Sequence, residues 1–342
     1  MDVVSDAIST VRVGEPFSNR ARVTGSWSAR FAPYEGAGFH VVLAGGCWLL
    51  PDGGGEPITL GPGDAVLLPH GTGHVMADAP PANPADRATT VERAIPFEDW
   101  MTGDLHHEGN GSPASPASPA SPTTPTELLC GKYRLNRSRA HPLMAELPDV
   151  IHLPHRLGRN PELRGAVDLL GIELDGAAAR PGACLAVPGL LDLLLVYMIR
   201  TWITEHTAES PADGSGLRWP AALGDPVVST ALRALHTDPA APWTNDRLAA
   251  EAGVSRPTLT RRFTARVGRA PMTYLTWWRM TRAAALLRDS ADPLDTIARR
   301  VGYSTPFALS HAFNREFGTT PGRYRAQPSH SGAPGTTPAP AG

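Results

Sequence analysis

At 342 residues the chain has room for two domains of ordinary size, and 42% hydrophobic against 19% charged content excludes a wholly disordered chain. Three cysteines, Cys47, Cys130 and Cys184, cannot build the disulfide framework of a small secreted domain, and the opening MDVVSDAIST lacks the pattern of a signal peptide. A cytoplasmic protein with no membrane partner is therefore expected. The net charge of −2 hides an asymmetry: residues 243–325 hold 14 Arg and no Lys against 6 acidic residues, net +8, and the other 17 basic and 27 acidic residues give −10. A basic module that meets a polyanion, attached to an acidic one, is expected.

In chain order, residues 1–158 read as β-rich. Short strands are predicted at 39–43, 47–50, 58–60, 65–68 and 128–135, with a Gly-rich turn at 51–56, which together suggest a small β-barrel or jelly roll. The Ser/Pro/Ala repeat at 109–127 offers no large apolar anchor and reads as a disordered or extended insertion within this domain. Residues 159–209 turn helical, with Leu163, Val167, Leu170 and Leu174 at three- and four-residue spacing. The most apolar run, 190–199 within the apolar stretch 188–203, contains Asp192 and is flanked by Pro188 and Arg200. It is short for a membrane span, so a helix buried on several sides is expected, serving as linker and dimerisation segment. A loose segment at 210–216 precedes the basic module at 218–326, and the Pro/Gly/Ser/Thr-rich tail 327–342 is expected to be disordered. The fold class is α+β multidomain: an N-terminal barrel with following helices, then an all-α C-terminal domain.

Residues 244–263 carry the first functional signal. Ala249 is small where two helices must cross closely, and Gly253 can take the left-handed conformation that ends a helix. Ser255 suits a helix N-cap and Pro257 a first turn. Leu259 and Phe263 turn one face inward, leaving Arg256, Thr260 and Arg261 outward. The pattern recurs over 295–313 with Ala298, Gly302, Thr305, Pro306, Leu309 and Phe313, through a turn one residue longer. Between the copies, 271–288 contains no Gly and predicts a stiff helix. It would hold two recognition helices for successive major grooves, about 34 Å apart on one DNA face.

This segment resembles the C-terminal domain of AraC/XylS-family transcription regulators, through both helix-turn-helix units, the linker residues Arg279, Met280 and Ala283, and the closing GlyThrThrProGlyArgTyrArg at 318–325. The resemblance implies a sequence-specific regulator of double-stranded promoter DNA, an activator rather than a repressor, with RNA polymerase as a second partner. It places base-reading positions at Arg256, Pro257, Thr260 and Arg261 in the first unit and at Phe307, Ala308 and His311 in the second. Plain helix surface or packing stays open for Pro257, Phe307 and His311. Arg279, Asn314, Arg315, Arg323 and Arg325 are assigned to phosphates, which set register and not sequence.

The segments 38–50 and 60–74, with Gly63–Asp64, Pro69, Gly71 and His74, resemble the cupin-type sensor domain of a subset of the same regulators. Cupin enzymes hold a metal with a His-x-His pair, a Glu and a later His. Here His40 is followed by Val41 and Val42, and no Glu follows at the needed spacing. His40, His70 and His74 are the candidate ligands for Zn²⁺ or Fe²⁺, yet the broken pair favours a barrel with no metal, no cofactor and no enzymatic activity. A metal-dependent cupin enzyme carrying a DNA-binding appendage is the alternative function. Cys47 and Cys130 fall on predicted strands and join His40, His70 and His74 as sensor candidates: as a redox pair, as metal ligands with His40 and His74, or as inert buried thiols. The leading expectation is a homodimeric, one-component regulator whose barrel senses a small-molecule effector or chemical signal.

Overall fold

The computed structural model describes residues 2–11, 14–80, 94–96, 125–135, 141–156, 158–175, 180–209 and 217–326. The Ser/Pro repeat up to residue 124, the segment 210–216 and the tail 327–342 lie outside those residues. The chain divides into two compact units, one of residues 7–220 and one that joins residues 1–6 to 221–342.

The first unit contains strands β1 (Phe17–Val23), β2 (Ser28–Phe31), β3 (Gly36–Ala44), β4 (Cys47–Pro51), β5 (Ile58–Leu60), β6 (Ala65–Leu68), β7 (His74–Ala77), β8 (Ile95–Pro96), β9 (Thr126–Arg134) and β10 (Ile151–Leu153). They form two five-stranded sheets in the orders β1-β9-β3-β6-β10 and β5-β4-β7-β2-β8. Only β2 and β8 pair in parallel among the described strands. The sheets share a core to which the first contributes Val42, Val66, Leu68, Leu128 and Cys130, and the second Cys47, Leu49, Leu60 and Met76. The two-residue spacing within these sets is the strand period, which sends alternate side chains to the same face.

The first sheet is buried on its other face as well, through Phe39, Val41, Ala65, Leu67, Leu129 and Tyr133. This is why β3 and β6 read as continuous apolar runs and not as alternating ones. Helices α2 (Pro142–Ala145), α3 (Pro161–Glu173) and α4 (Ala183–Glu209) follow the strands. The Tyr133 hydroxyl donates to the Leu191 carbonyl of α4 at 2.6 Å, which fixes that helix to β9.

Three boundaries differ from the sequence reading. Strand β9 begins at Thr126, inside the stretch expected to be disordered. Polar Thr126 and Glu127 look like loop, but the Thr126 hydroxyl donates to the Gly46 carbonyl at 3.0 Å and Glu127 pairs with Arg20 at 2.8 Å. Helix α4 begins at Ala183, ahead of the apolar stretch 188–203, and so keeps Pro188 inside. Pro188 lies in the second turn, where it removes a single ladder bond. The stretch Ala183–Thr207 is long and apolar enough by composition to cross a membrane. In this chain Leu191, Leu194, Leu195, Met198, Ile199 and Trp202 are buried while Leu185 and Leu193 stay exposed, so it is not covered on all sides. The third difference is helix α1 (Val3–Val11), capped by the Asp2 carboxylate, which accepts from the Val4 and Ser5 amides at 3.0 and 3.1 Å.

The second unit is helical: α6 (Pro226–Thr237), α7 (Asn245–Glu251), α8 (Arg256–Val267), α9 (Pro271–Asp289), α10 (Leu294–Arg300), α11 (Pro306–Phe317) and α12 (Pro321–Ala326). Helix α5 (Arg218–Gly224) contains the boundary between the units. Helices α7–α8 and α10–α11 are the two helix-turn-helix units. Ser255 and Thr305 cap α8 and α11, accepting from the amides of Thr258 and Ala308, with Pro257 and Pro306 in the first turns. Gly253 (φ 67°) and Gly302 (φ 81°) make the left-handed turns. Leu259, Phe263, Leu309 and Phe313 are fully buried. Residues 2–6 belong to this unit because the Asp6 carboxylate accepts from His236 Nδ1 at 2.7 Å, and His236 Nε2 accepts from the Tyr274 hydroxyl at 2.8 Å. That network is buried, and burial lowers the His236 pKa while the Asp6 carboxylate pulls it back up.

Candidate nucleic-acid interface and sensor core

Burying Leu259, Phe263 and Val267 on one side of α8 leaves the other side outward. There Arg256, Pro257 and Arg261 are exposed and Thr260 is half-buried. Arg256 sits 3.8 Å from Asp246 in a loose, exposed pair. The next residue, Arg262, is placed differently. Its Nε and Nη2 donate to Asp225 at 3.0 and 2.7 Å, and the same carboxylate caps α6. One arginine of this adjacent pair faces out and the other braces the unit.

On α11, Phe307 is 82% exposed, an uncommon position for a phenyl ring. Ala308 is half-buried, and His311, Asn314, Arg315 and Arg323 are exposed. Two arginines expected at phosphates have other partners. Arg279 donates from Nε to the Pro239 carbonyl at 2.7 Å and from Nη2 to the Ala241 carbonyl at 2.9 Å. Burial lowers its pKa. Arg325 donates from Nη2 to the Asp292 carbonyl at 2.6 Å and from Nε to the Leu287 carbonyl at 3.3 Å. Carbonyls at helix ends and in connecting loops lack ladder partners, and a guanidinium fork satisfies two at once.

Within the first unit, β3, β7 and β9 bring His40, His74 and Cys130 together. His40 Nε2 lies 2.7 Å from His74 Nε2, and His40 Nδ1 lies 3.0 Å from Cys130 Sγ. The direction of this chain follows from its end. His74 Nδ1 is 3.0 Å from the Thr72 carbonyl, which can only accept, so Nδ1 carries the proton and Nε2 accepts. His40 must then donate from Nε2 and accept at Nδ1, from the Cys130 thiol. Both rings are neutral and the thiol is protonated. The pKa directions agree: burial and the neighbouring His74 hold His40 well below its usual value, and burial lowers His74 to about 4. Burial pushes the Cys130 thiol far up and the Cys47 thiol to about 12. Phe31 stacks on His74 at 4.7 Å and meets His40 edge-on.

His70 does not join the pair. Its Nε2 donates to the Leu147 carbonyl at 2.7 Å. Among the described residues no group of three His, Cys, Asp or Glu side chains is placed to hold a metal ion. The donor set does not fit the metal of cupin enzymes, because both His40 nitrogens are committed and the third histidine stands apart. Asp64, part of the cupin-like token, accepts from the amides of Gly61 and His155 at 2.9 and 2.6 Å and fixes a turn. A cleft of about 410 Å³ that sequence reading did not single out lies where the ends of β3 and β9 meet α3, beside Arg20 of β1. Its one sequence signal is Gly171, a small residue beside the apolar stripe of α3.

The cupin family model matches residues 2–204, and a helix-turn-helix domain model matches residues 248–327. An AraC-like transcription regulator of Streptomyces lividans is 34% identical over 96% of this chain and 99% of its own length. One of Streptomyces antibioticus is 33% identical over the same shares. The crystallised DNA-binding domain of AdpA, solved in complex with a target DNA, is 36% identical over 30% of this chain and 91% of its own, with a TM-score of 0.28. The chain belongs to the AraC-like, DNA-binding transcription regulators, with a cupin domain at the N-terminal side and a helix-turn-helix domain at the C-terminal side.

Proposed function

We propose that this regulator reads its promoter site chiefly through α8, acts in the cytoplasm as an activator, and responds to a small-molecule effector held by its first unit. The observation that carries the reading is the outward face of α8. Arg256 and Arg261 are exposed there with Pro257 and Thr260, whereas the matching face of α11 offers Phe307, Ala308 and His311. An arginine can reach guanine O6 and N7 together, a contact worth about 1–3 kcal/mol of discrimination. Phe307 offers apolar contact to a thymine methyl, so α11 contributes position more than sequence. Asn314, Arg315 and Arg323 contact phosphates. The first unit acts by binding and not by catalysis, and RNA polymerase is the partner through which activation is exerted. The exposed Leu185 and Leu193 on α4 support a homodimer formed along that helix.

The test is Arg261→Ala in the full chain, on DNA sites selected from a genomic library. Specific affinity should fall roughly 5- to 150-fold at fixed salt, with a much smaller change on random duplex. Equal losses on both would overturn the base-reading role.

A further inference from the structure

We infer that the cleft between the barrel and α3 is the effector site, and that its ligand is an organic cation with an apolar body, such as an amine. This deepens the proposed sensing function and rests on it. The barrel interior leaves little room for an effector: His40, Cys47, Leu49, Val66, Met76, His74 and Cys130 are each at most 3% exposed and pack against one another. The cleft outside it, about 410 Å³, is the size of a small-ligand pocket. A bulge shapes one wall. The register of β3 against β9 shifts between Val42 and Ala44, and the residue between them, Leu43, is half-buried at the cleft. With Val42, Val167 and Ile172 it forms an apolar lining, and Gly171 leaves room, since a Cβ there would meet nothing nearer than Leu43 at 4.0 Å.

Charge selects the ligand class. The lining holds two arginines and three carboxylates. Arg164 is matched by Asp168 at 3.0 Å. Arg20 is shared among Glu127 at 2.8 Å, Asp175 at 3.1 Å and the Gly171 carbonyl at 2.9 Å. Arg22 reaches Glu127 from outside the cleft at 3.3 Å and offsets part of that acidity. Asp175 is left with a share of one cation, and it stands just past the C-terminus of α3, the negative end of the helix dipole. A ligand ammonium at Asp175, with its apolar part over Leu43 and Ile172, fits this field. A carboxylate ligand would find no unpaired cation there, since Arg20, Arg22 and Arg164 are already matched.

The test is isothermal titration of the full-length protein with 4-phenylbutylamine, 4-phenylbutanol and 4-phenylbutyrate, which share a skeleton and differ in charge. The amine should bind about fivefold more tightly than the alcohol, the worth of one exposed ion pair, and the acid more weakly than both. Asp175→Asn should erase the preference of amine over alcohol, and Gly171→Leu should weaken binding of all three by narrowing the cleft. Absence of amine binding, tighter binding of the acid, or undiminished binding to Gly171→Leu would each overturn the proposal. DNA binding measured with and without the amine separates the two readings. Ligand binding that leaves DNA affinity unchanged would keep the site and sink the sensing function. A DNA response to another effector that survives in Gly171→Leu would keep the function and sink the site.

Discussion

Acid should loosen the first unit through the His40–His74 pair, and the size of the effect can be worked from the geometry. His74 is 2% exposed, its Nδ1 proton goes to the Thr72 carbonyl, and burial lowers its pKa to about 4 against 6.5 in the unfolded chain. A depressed folded pKa means that the contribution to stability is complete above pH 6.5. It is lost as pH falls toward 4, because only the unfolded state takes up the proton in that window. The pKa difference corresponds to about 3 kcal/mol in all, and about 2 kcal/mol by pH 5. His40, depressed by burial and by His74, acts in the same direction. Hydrogen exchange of the amides of β3 and β7, followed by mass spectrometry between pH 7.5 and 5 with correction for intrinsic rates, reads this unit alone. Protection should fall by roughly 30-fold or more at pH 5. The double substitution His40→Leu, His74→Phe removes both titrating rings and should give a flatter profile from a lower starting stability. A flat profile in the unsubstituted protein, or the same slope in the double variant, would refute the neutral relay.

The remaining predictions concern reactivity, bracing and turns. Iodoacetamide at pH 8 should modify exposed Cys184 first and spare Cys47 and Cys130, whose thiols are buried with raised pKa values; peptide mass spectrometry showing early labelling of either barrel cysteine would reopen a redox role. Arg279→Ala should destabilise the second unit by about 2–3 kcal/mol by orphaning two carbonyls. In the salt dependence of DNA binding, Arg279→Ala should leave the slope unchanged and Arg315→Ala should lower it by about one, and the reverse result would return Arg279 to the phosphates. Gly253→Ala should cost about 1–2 kcal/mol from left-handed strain alone. Gly302→Ala should cost more, because its Cβ would also lie 2.9 Å from the Ala240 backbone; equal melting temperatures for the two variants would contradict that packing.

The helical unit was legible because its signals are local. Gly253, Ser255, Pro257 and the Leu259–Phe263 pair lie within one short window, and each residue's conformational preference points to the same turn. The barrel was half legible. Strands β3, β4, β5, β6 and β9 show apolar runs, whereas β1, with its Arg20 and Arg22, does not, because its charges are matched by Glu127 and Asp175, both more than a hundred residues away. His40, His74 and Cys130 were all sequence candidates, but the histidine pair was expected to be joined by His70 and not by the thiol alone. Cys130 replaces His70 because β9 pairs with β3 in a register that sets Cys130 opposite His40. Helix α1 was missed for the same kind of reason. Asp6 looks like a surface acid until His236, 230 positions on, gives it a buried partner.

The two helix-turn-helix units share a fold but present different outward faces. In the second, Arg279 reaches the Pro239 and Ala241 carbonyls and packs against Gly302, whose turn has no space for a side chain. Arg325 closes the other side on Leu287 and Asp292. Those bonds brace α9 and the second turn, and they commit two arginines that the sequence suggests for phosphates. The first unit is braced by Arg262 on Asp225 alone of its adjacent arginines, which leaves Arg261 outward. The difference lies in one helical step: at Arg261 the side chain meets solvent, and at Arg262 it meets the carboxylate that caps α6. Sequence preference should therefore gather in the half-site under α8, with α11 and Phe307 setting where the protein sits.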